Sequence, residues 1–179
     1  ATKTACAYLA FEKAGVERAT IVGPAISRDT WPKEARKIFK DETRPDVFAV
    51  SGAEDLKSPR MESAKYVFVS SQLLARAWDD PELYEAMNKA LVERRKTDGI
   101  ILDESDEFRN EDTDSSKMLI DIVSKIKGLN RNQNDQKIPM LALTGTPISG
   151  SLKDLDITMA LLHDDRFALP KTFEKGNYP

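Results

Sequence analysis

Short apolar runs alternate with longer amphipathic segments along the chain. Each apolar run is closed by glycine, proline or small polar residues, a pattern typical of buried β-strands. These runs predict five strands, at residues 18–24, 46–52, 63–71, 98–104 and 138–146. Their apolar character is continuous rather than alternating, which indicates strands that are covered on both faces.

The amphipathic segments predict helices. Apolar residues at helical spacing place these helices at residues 4–15, 27–40, 81–96, 114–128 and 151–162. Gly15 and Gly128 are expected helix ends, because glycine accepts the left-handed conformation that closes many helices. The polar stretch at residues 129–137 is expected to be a loop.

Strands that alternate with helices predict an α/β fold with a parallel sheet covered on both faces. In open parallel sheets, ligands lie beyond the carboxyl ends of the strands. The polar residues that follow each predicted strand are therefore the first candidates for chemistry.

Composition and charge narrow the classes of protein that fit. The chain has 179 residues, of which 40% are hydrophobic and 32% charged, an ordinary globular balance. The formal net charge of -3 argues against a globally basic nucleic-acid binder, but not against a local basic face. The lone Cys6 excludes an internal disulfide and favours a reducing compartment. The lone His163 argues against a histidine-based metal site or a Ser/His/Asp triad.

Two adjacent carboxylates, Asp103 and Glu104, end the fourth predicted strand. A magnesium ion prefers oxygen ligands and keeps several waters, so one carboxylate plus phosphates can hold it. A second carboxylate can orient or deprotonate an attacking water, which is what phosphoryl-transfer ATPases require. The alternative is a solvated acidic loop without chemistry, because short motifs of this kind are common.

Small polar residues also follow the fifth predicted strand directly. Thr144 and Thr146 offer hydroxyls, Gly145 allows an unusual backbone angle, and Pro147 fixes the exit of the chain. A plain tight turn is the alternative. The spacing between the two stretches leaves room for one helix and a loop, so the fourth and fifth strands are candidates for neighbours in the sheet.

These two stretches resemble motifs II and III of superfamily-two helicases. "IILDESDEFRN" is similar to motif II, and "LALTGTPISGSLKDL" is similar to motif III, of the Swi/Snf-type double-stranded DNA translocases in particular. "ATIVGPAISRDTWPKEARKIF" resembles motif Ia, with Pro24 and Trp31 at matching positions, and "YVFVSSQLL" resembles motif Ib. The segment "LLHDDRFALPKTF" is similar to the end of the family's first lobe, so the resemblance covers almost the whole chain in order.

The resemblance implies a three-layer RecA-like (P-loop NTPase) fold that uses ATP and Mg²⁺. It implies that Asp103 holds magnesium through water and that Glu104 activates the attacking water. It also implies that motif III, Thr144 to Pro147, links the nucleotide site to the nucleic-acid face.

The resemblance also places residues near the nucleic acid, namely Ser27, Trp31, Ser70 and Asn110. Each has a plainer alternative. Trp31 is equally compatible with packing, Ser27 with a helix cap and Ser70 with a strand-end turn. Asn110 is one polar residue in a polar loop.

The sequence departs from the family pattern at two places. Motif II has Asp106 where the Swi/Snf pattern has histidine, which leaves the subfamily open. Of the phosphate loop, only "ATKT" resembles the tail, with Lys3 for the phosphates and Thr4 for magnesium. An ordinary terminal lysine is the alternative for Lys3.

These departures lead to expectations about the chain as a unit. We expect residues 1–179 to form a single N-terminal helicase ATP-binding lobe, truncated at the phosphate loop and without the second RecA-like lobe. In the family that lobe supplies an arginine finger, worth about three to five orders of magnitude in rate for related enzymes. We therefore expect this chain alone to bind ATP weakly and to be nearly inactive as an ATPase.

Other functions remain open from the sequence. A strand-separating DNA or RNA helicase and a restriction-enzyme motor lobe share these motifs. The missing glycines favour a non-hydrolysing RecA-like module that binds nucleic acid or protein, whereas the Asp103–Glu104 pair and "TGTP" argue against it. An unrelated magnesium enzyme would need further carboxylates near the other strand ends, and "GPAIS", "SSQ" and "TGTPIS" supply none. Double-stranded DNA is the favoured partner, with RNA open. The location is expected to be intracellular and cytoplasmic, with a bacterial or viral source favoured and the nucleus left open.

Overall fold

A five-stranded, all-parallel sheet forms the centre of the computed structural model, which describes residues 2–134, 137–145 and 156–162. The strands lie in the order β2-β3-β1-β4-β5. Their bounds are β1 Ala19–Gly23, β2 Val47–Ala49, β3 Tyr66–Ser70, β4 Gly99–Asp103 and β5 Met140–Leu143. All five predicted strands are confirmed, and β4 and β5 are neighbours, with Ile100 opposite Met140.

Eight α-helices accompany the sheet in the described ranges. They are α1 Thr2–Lys13, α2 Thr30–Ile38, α3 Ala53–Leu56, α4 Pro59–Ser63, α5 Ser71–Asp79, α6 Pro81–Asn88, α7 Asp114–Asn134 and α8 Asp156–Leu162. Short 3₁₀ turns occupy Ala25–Ser27, Asp41–Thr43 and Ser105–Phe108. None of the helices in the described ranges is long and apolar enough to cross a membrane.

The side chains of each strand alternate between two apolar layers, because successive strand residues point to opposite faces. One layer packs against α5, α6 and α7 and includes Val22, Val67, Val69, Ile100 and Leu102. The other packs against α1 and α2 and includes Ala19, Ile21, Tyr66, Phe68 and Ile101. Burial of each large aliphatic side chain contributes about 1.5–3 kcal/mol. The predicted sheet covered on both faces is therefore confirmed.

Two helix predictions need correction. Helix α7 does not end at Gly128 but continues to Asn134, through residues expected to form a loop. Gly128 lacks the positive φ of a helix-ending glycine, which Gly15 does adopt at φ 71°. A glycine inside a helix costs only about 1 kcal/mol, so continued backbone hydrogen bonding can outweigh it.

The predicted helix over residues 81–96 also changes character. It is α-helical as far as Asn88 and continues as a π-helical turn over Lys89–Arg94. The Arg95 amide accordingly donates to the carbonyl of Ala90, five residues back, and Lys96 follows in the left-handed region at φ 53°. The side chain of Arg95, which directly follows the π-helical turn, is fully buried.

Arg95 closes the amino-terminal end of the sheet. Its side chain is fully buried, and its guanidinium donates to backbone carbonyls of β1, of α4 and of the two residues between α4 and β3. The acceptors are Met61, Glu62, Ala64, Lys65 and Ala19. Burial lowers the pKa of Arg95 to about 10, so the group remains charged at neutral pH. One side chain therefore satisfies carbonyls that would otherwise be costly to bury.

Candidate functional site

Asp103 is the last residue of β4 and faces Leu143 of β5 across the ladder. Its side chain is buried, and its Oδ2 accepts a hydrogen bond of 3.1 Å from the indole nitrogen of Trp31. Gly23, at the end of β1, packs directly against it, since a Cβ built at Gly23 would lie 2.9 Å from the Cβ of Asp103. The backbone of β1 thus approaches Asp103 at a distance that only glycine permits.

Glu104 adopts a left-handed backbone conformation, with φ 48° and ψ 56°. Non-glycine residues rarely do so, and such strained positions cluster at functional sites. Its Oε1 accepts a hydrogen bond of 2.7 Å from the Nζ of Lys3, and both side chains are about 40% exposed, at 39% and 42%. The strained turn therefore aims the carboxylate at the start of α1.

Three elements meet at this ion pair. A Cβ built at Gly145, two residues beyond the end of β5, would lie 3.9 Å from the Nζ of Lys3. The start of α1, the end of β4 and the end of β5 therefore surround one small region. Thr4 lies half-buried in the first turn of α1, and none of the described contacts joins it to Asp103 or Glu104.

Asp106 bridges the ends of β4 and β5. Its Oδ1 accepts from the Oγ1 of Thr144 at 3.1 Å, and its Oδ2 accepts from Arg109 at 2.8 Å. The residue that replaces the family's histidine thus contacts the stretch similar to motif III. Thr146 and Pro147 lie outside the described residues.

The residues predicted to line the nucleic acid lie near the carboxyl ends of the strands. Of these four described residues, Trp31 alone has a hydrogen bond to Asp103. Ser27 is half-buried at the end of the turn after β1. Ser70 caps α5, because its hydroxyl accepts from the Leu73 amide at 3.1 Å. Asn110 is exposed and accepts from the Asp112 amide at 3.0 Å, which stabilises a turn.

The position of Trp31 corrects its expected place near the nucleic acid. Its ring is fully buried, so it offers no surface to a ligand outside the protein. It packs edge-on against Tyr8 at 5.3 Å between ring centroids, and the Tyr8 hydroxyl donates to its carbonyl at 2.8 Å. The structure supports the packing role of Trp31. In addition, its indole nitrogen donates a hydrogen bond to Asp103.

A family model of the SNF2-related domain matches residues 5–178. The chain belongs to the SNF2-related domain family. No curated protein matches the chain. The match begins just after Lys3 and Thr4, so it does not include the two residues that resemble the tail of a phosphate loop.

Membership in the SNF2-related family agrees with the all-parallel sheet flanked by helices, and the fold is a RecA-like α/β fold. It places the chain among DNA-dependent ATPase and translocase motors, which act on nucleic acid and typically on DNA. The resemblance to the first lobe of a Swi/Snf-type superfamily-two motor is confirmed.

Sequence reasoning missed a hydrogen-bonded link along the carboxyl edge of this SNF2-related domain. The hydroxyl of Ser71, at the start of α5, donates to Glu107 at 2.8 Å. The neighbouring Gln72 accepts from the Ala25 amide at 3.0 Å. The stretches similar to motifs Ia, Ib and II are thereby joined. The available signal was the position of these polar residues directly after three neighbouring strands.

Asp103, Glu104 and Lys3 of this SNF2-related domain carry the types of donor that a Mg²⁺–nucleotide would need. Among the described residues, no three His, Cys, Asp or Glu side chains cluster as a metal cage. Magnesium is commonly held by one or two carboxylates together with phosphates and waters, and Asp103 and Glu104 supply hard oxygen donors of that type. Lys3 supplies the positive charge that phosphates require.

Proposed function

We propose that this chain is the ATP-hydrolysing lobe of a motor that moves on duplex DNA. The observation that carries the proposal is the meeting of Asp103, Glu104 and Lys3 at the carboxyl end of β4, with Lys3 and Glu104 2.7 Å apart. Two carboxylates and one ammonium group at this edge are what phosphoryl transfer requires. Membership in the SNF2-related family supports DNA as the track.

The two carboxylates differ in their surroundings, and this supports different roles. Asp103 is buried and fixed by a hydrogen bond, which suits a group that holds magnesium through a coordinated water. Magnesium, when bound, would neutralise charge on the phosphate oxygens. Glu104 is more exposed and can reach solvent, which suits a group that orients a water and accepts its proton. Thr4 would be the second residue to hold the ion.

Lys3 would exchange partners when a nucleotide binds. In the structure its ammonium group neutralises Glu104, so the general base is occupied by a cation. The phosphates of ATP carry more negative charge than one carboxylate and would attract Lys3 away from Glu104. Binding of the substrate would thus release the base at the moment it is needed.

The link from hydrolysis to the track would run through Asp106. It joins the strained turn at Glu104 to Thr144, and the motif continues to Thr146 and Pro147. Ser27, Ser70 and Asn110 remain the proposed contacts to the DNA backbone. Such contacts with phosphates would depend on salt and not on base sequence.

A steady-state assay on the full-length polypeptide tests this proposal. ATP hydrolysis is measured with duplex DNA, single-stranded DNA, RNA or no nucleic acid, for the wild type, Lys3→Ala and the matched control Lys13→Ala at the exposed end of α1. We expect the highest rate with duplex DNA. We expect Lys3→Ala to raise the KM for ATP by at least about tenfold, because a charge-assisted contact is worth about 1.5–3 kcal/mol. Equal KM values for the two variants would contradict the role of Lys3.

A second candidate is a RecA-like module that binds nucleic acid without hydrolysing ATP. The ion pair between Lys3 and Glu104 favours it, because each group already satisfies the other. This candidate predicts nucleic-acid binding that ATP does not change and no turnover with any nucleic acid. The same assay, combined with a binding measurement on duplex DNA, separates the two.

A further inference from the structure

The indole of Trp31 donates a hydrogen bond to the carboxylate of Asp103 across two separate elements. Trp31 lies in α2 and Asp103 at the end of β4, and the Nε1–Oδ2 distance is 3.1 Å. Trp31 is 0% exposed and Asp103 is 7% exposed. A bond between an N–H group and a carboxylate away from water is stronger than one between neutral groups. Packing alone does not require it, since phenylalanine would fill most of the same space.

The donor is held rigidly. The Tyr8 ring packs edge-on against the indole, and the Tyr8 hydroxyl fixes the Trp31 backbone. The acceptor is fixed as well, because the backbone of Gly23 lies against its Cβ. The orientation of the carboxylate is therefore set during folding and does not have to be established when a ligand arrives.

We propose that Trp31 is the positioning residue of the carboxylate that holds the magnesium of the bound nucleotide. The indole occupies Oδ2 and leaves Oδ1 as the oxygen for the cation's water shell; within the described part of the chain, no hydrogen bond ends on Oδ1. A carboxylate that ligates a metal generally needs such a partner to fix its rotation. This inference rests on the proposed function.

The first test compares Trp31→Phe with Trp78→Phe in the full-length polypeptide. Binding of a fluorescent ADP analogue is titrated with Mg²⁺, without hydrolysis. Trp31→Phe keeps a buried ring and removes the N–H donor together with part of the ring volume. We expect the half-saturating Mg²⁺ concentration to rise about tenfold, as is typical when a partner of a metal ligand is lost. Trp78→Phe, the same substitution at the partly exposed tryptophan of α5, should leave it unchanged, because it retains the Trp31 donor and its support from Tyr8. Circular dichroism and thermal unfolding confirm that each variant is folded.

The second test needs no substitution at the site and therefore holds even if Trp31→Phe fails to fold. The protein is labelled with ¹⁵N in the tryptophan indoles, and Trp78→Phe identifies the resonance of Trp78, the other tryptophan of residues 1–179. Any further indole resonances are assigned by substitution in the same way. Addition of Mg²⁺ with ADP should shift the Nε1–H resonance of Trp31, because the cation withdraws charge from its acceptor. ADP with EDTA should shift it much less.

The outcomes separate the inference from the proposed function. Two results support the inference: a half-saturating Mg²⁺ concentration about tenfold higher in Trp31→Phe than in the wild type, and a shift of the Trp31 indole resonance that requires Mg²⁺. Normal Mg²⁺–nucleotide binding by the wild type, with no indole shift and an unchanged half-saturation in Trp31→Phe, overturns the inference and leaves the proposed function standing. Failure of the wild type to bind Mg²⁺–nucleotide at all overturns both.

Discussion

The two ends of the central sheet use charge in opposite ways. At the amino-terminal end, Arg95 is fully buried and both terminal nitrogens of its guanidinium donate to backbone carbonyls. At the carboxyl-terminal end, Lys3 and Glu104 are each about 40% exposed, at 42% and 39%, and bind one another across the surface. The first arrangement has no capacity for a ligand, whereas a ligand can replace either partner of the second.

A non-glycine residue in the left-handed conformation lies at each end of the sheet, Lys96 at the amino end and Glu104 at the carboxyl end. The left-handed conformation of Glu104 costs roughly 1–3 kcal/mol and directs a carboxylate towards Lys3. Lys96, the left-handed residue beside Arg95, precedes Thr97, whose hydroxyl bonds to that of Thr20 within the core. The comparison teaches that strain at the amino end serves packing, while strain at the carboxyl end positions a group that a ligand can reach.

The largest effect on stability is expected from Arg95→Met. The substitution leaves several buried carbonyls without donors, each of which costs about 1–3 kcal/mol when water cannot replace the donor. We expect the free energy of unfolding to fall by about 3–5 kcal/mol, measured by urea denaturation. Arg36→Met, at an exposed arginine of α2, is the control and should change it by less than about 0.5 kcal/mol. Equal effects would mean that the amino end is not held by Arg95.

Two glycine substitutions, one at each end of the sheet, should have intermediate effects on the free energy of unfolding. A Cβ at Gly99, at the amino end of β4, would lie 2.7 Å from side-chain atoms of Phe11 and Val16. A Cβ at Gly23 would instead press on Asp103. Gly99→Ala and Gly23→Ala should each lower the free energy of unfolding by about 1–3 kcal/mol.

Only Gly23→Ala should also impair ATP hydrolysis, because it displaces the carboxylate at the carboxyl end. The readout is the rate of hydrolysis at saturating Mg²⁺–ATP, compared between the two folded variants well below their unfolding temperatures. A loss of activity that is the same in both would show that stability, and not the position of Asp103, governs the rate.

Gly128→Ala is expected to stabilise the protein without touching either end of the sheet. Gly128 lies inside α7, and a Cβ there would meet nothing within 4 Å. We expect a gain of about 0.5–1 kcal/mol from helix propensity. Thermal unfolding measures it, and a loss of stability would indicate that the helix does not continue through this residue.

The smallest effect concerns acid stability near the amino end. A hydrogen bond and the charge of Arg60 hold the pKa of the Asp46 carboxyl below its ordinary value of 3.8. The folded state therefore gains stability from this ionised carboxylate above that pH and loses it as the pH falls further. In Asp46→Asn, the free energy of unfolding should depend less on pH in acid than it does in the wild type. Near pH 7 its dependence on pH should be almost the same in both proteins. An unchanged slope in acid would contradict the pairing.

The strands and their parallel arrangement were predictable because continuous apolar runs report burial on both faces. The placement of Asp103, Glu104 and Thr144 at one edge of the sheet was predictable because the carboxyl ends of parallel strands meet there. The continuation of α7 past Gly128 was not, since its polar residues carry no apolar pattern. The buried bond from Trp31 to Asp103 was not predictable either, because it depends on how α2 packs across the sheet.

The most direct test of the account compares Glu104→Gln with Glu107→Gln in DNA-stimulated ATP hydrolysis by the full-length polypeptide. The two residues are near neighbours, but Glu107 is bound to Ser71 and lies outside the proposed chemistry. We predict that Glu104→Gln lowers the rate by about 10²–10⁴-fold, as expected for loss of a general base, while Glu107→Gln retains most of it. Full activity in Glu104→Gln, or equal losses in both variants, would contradict the assignment of the carboxyl end of β4 as the hydrolytic site.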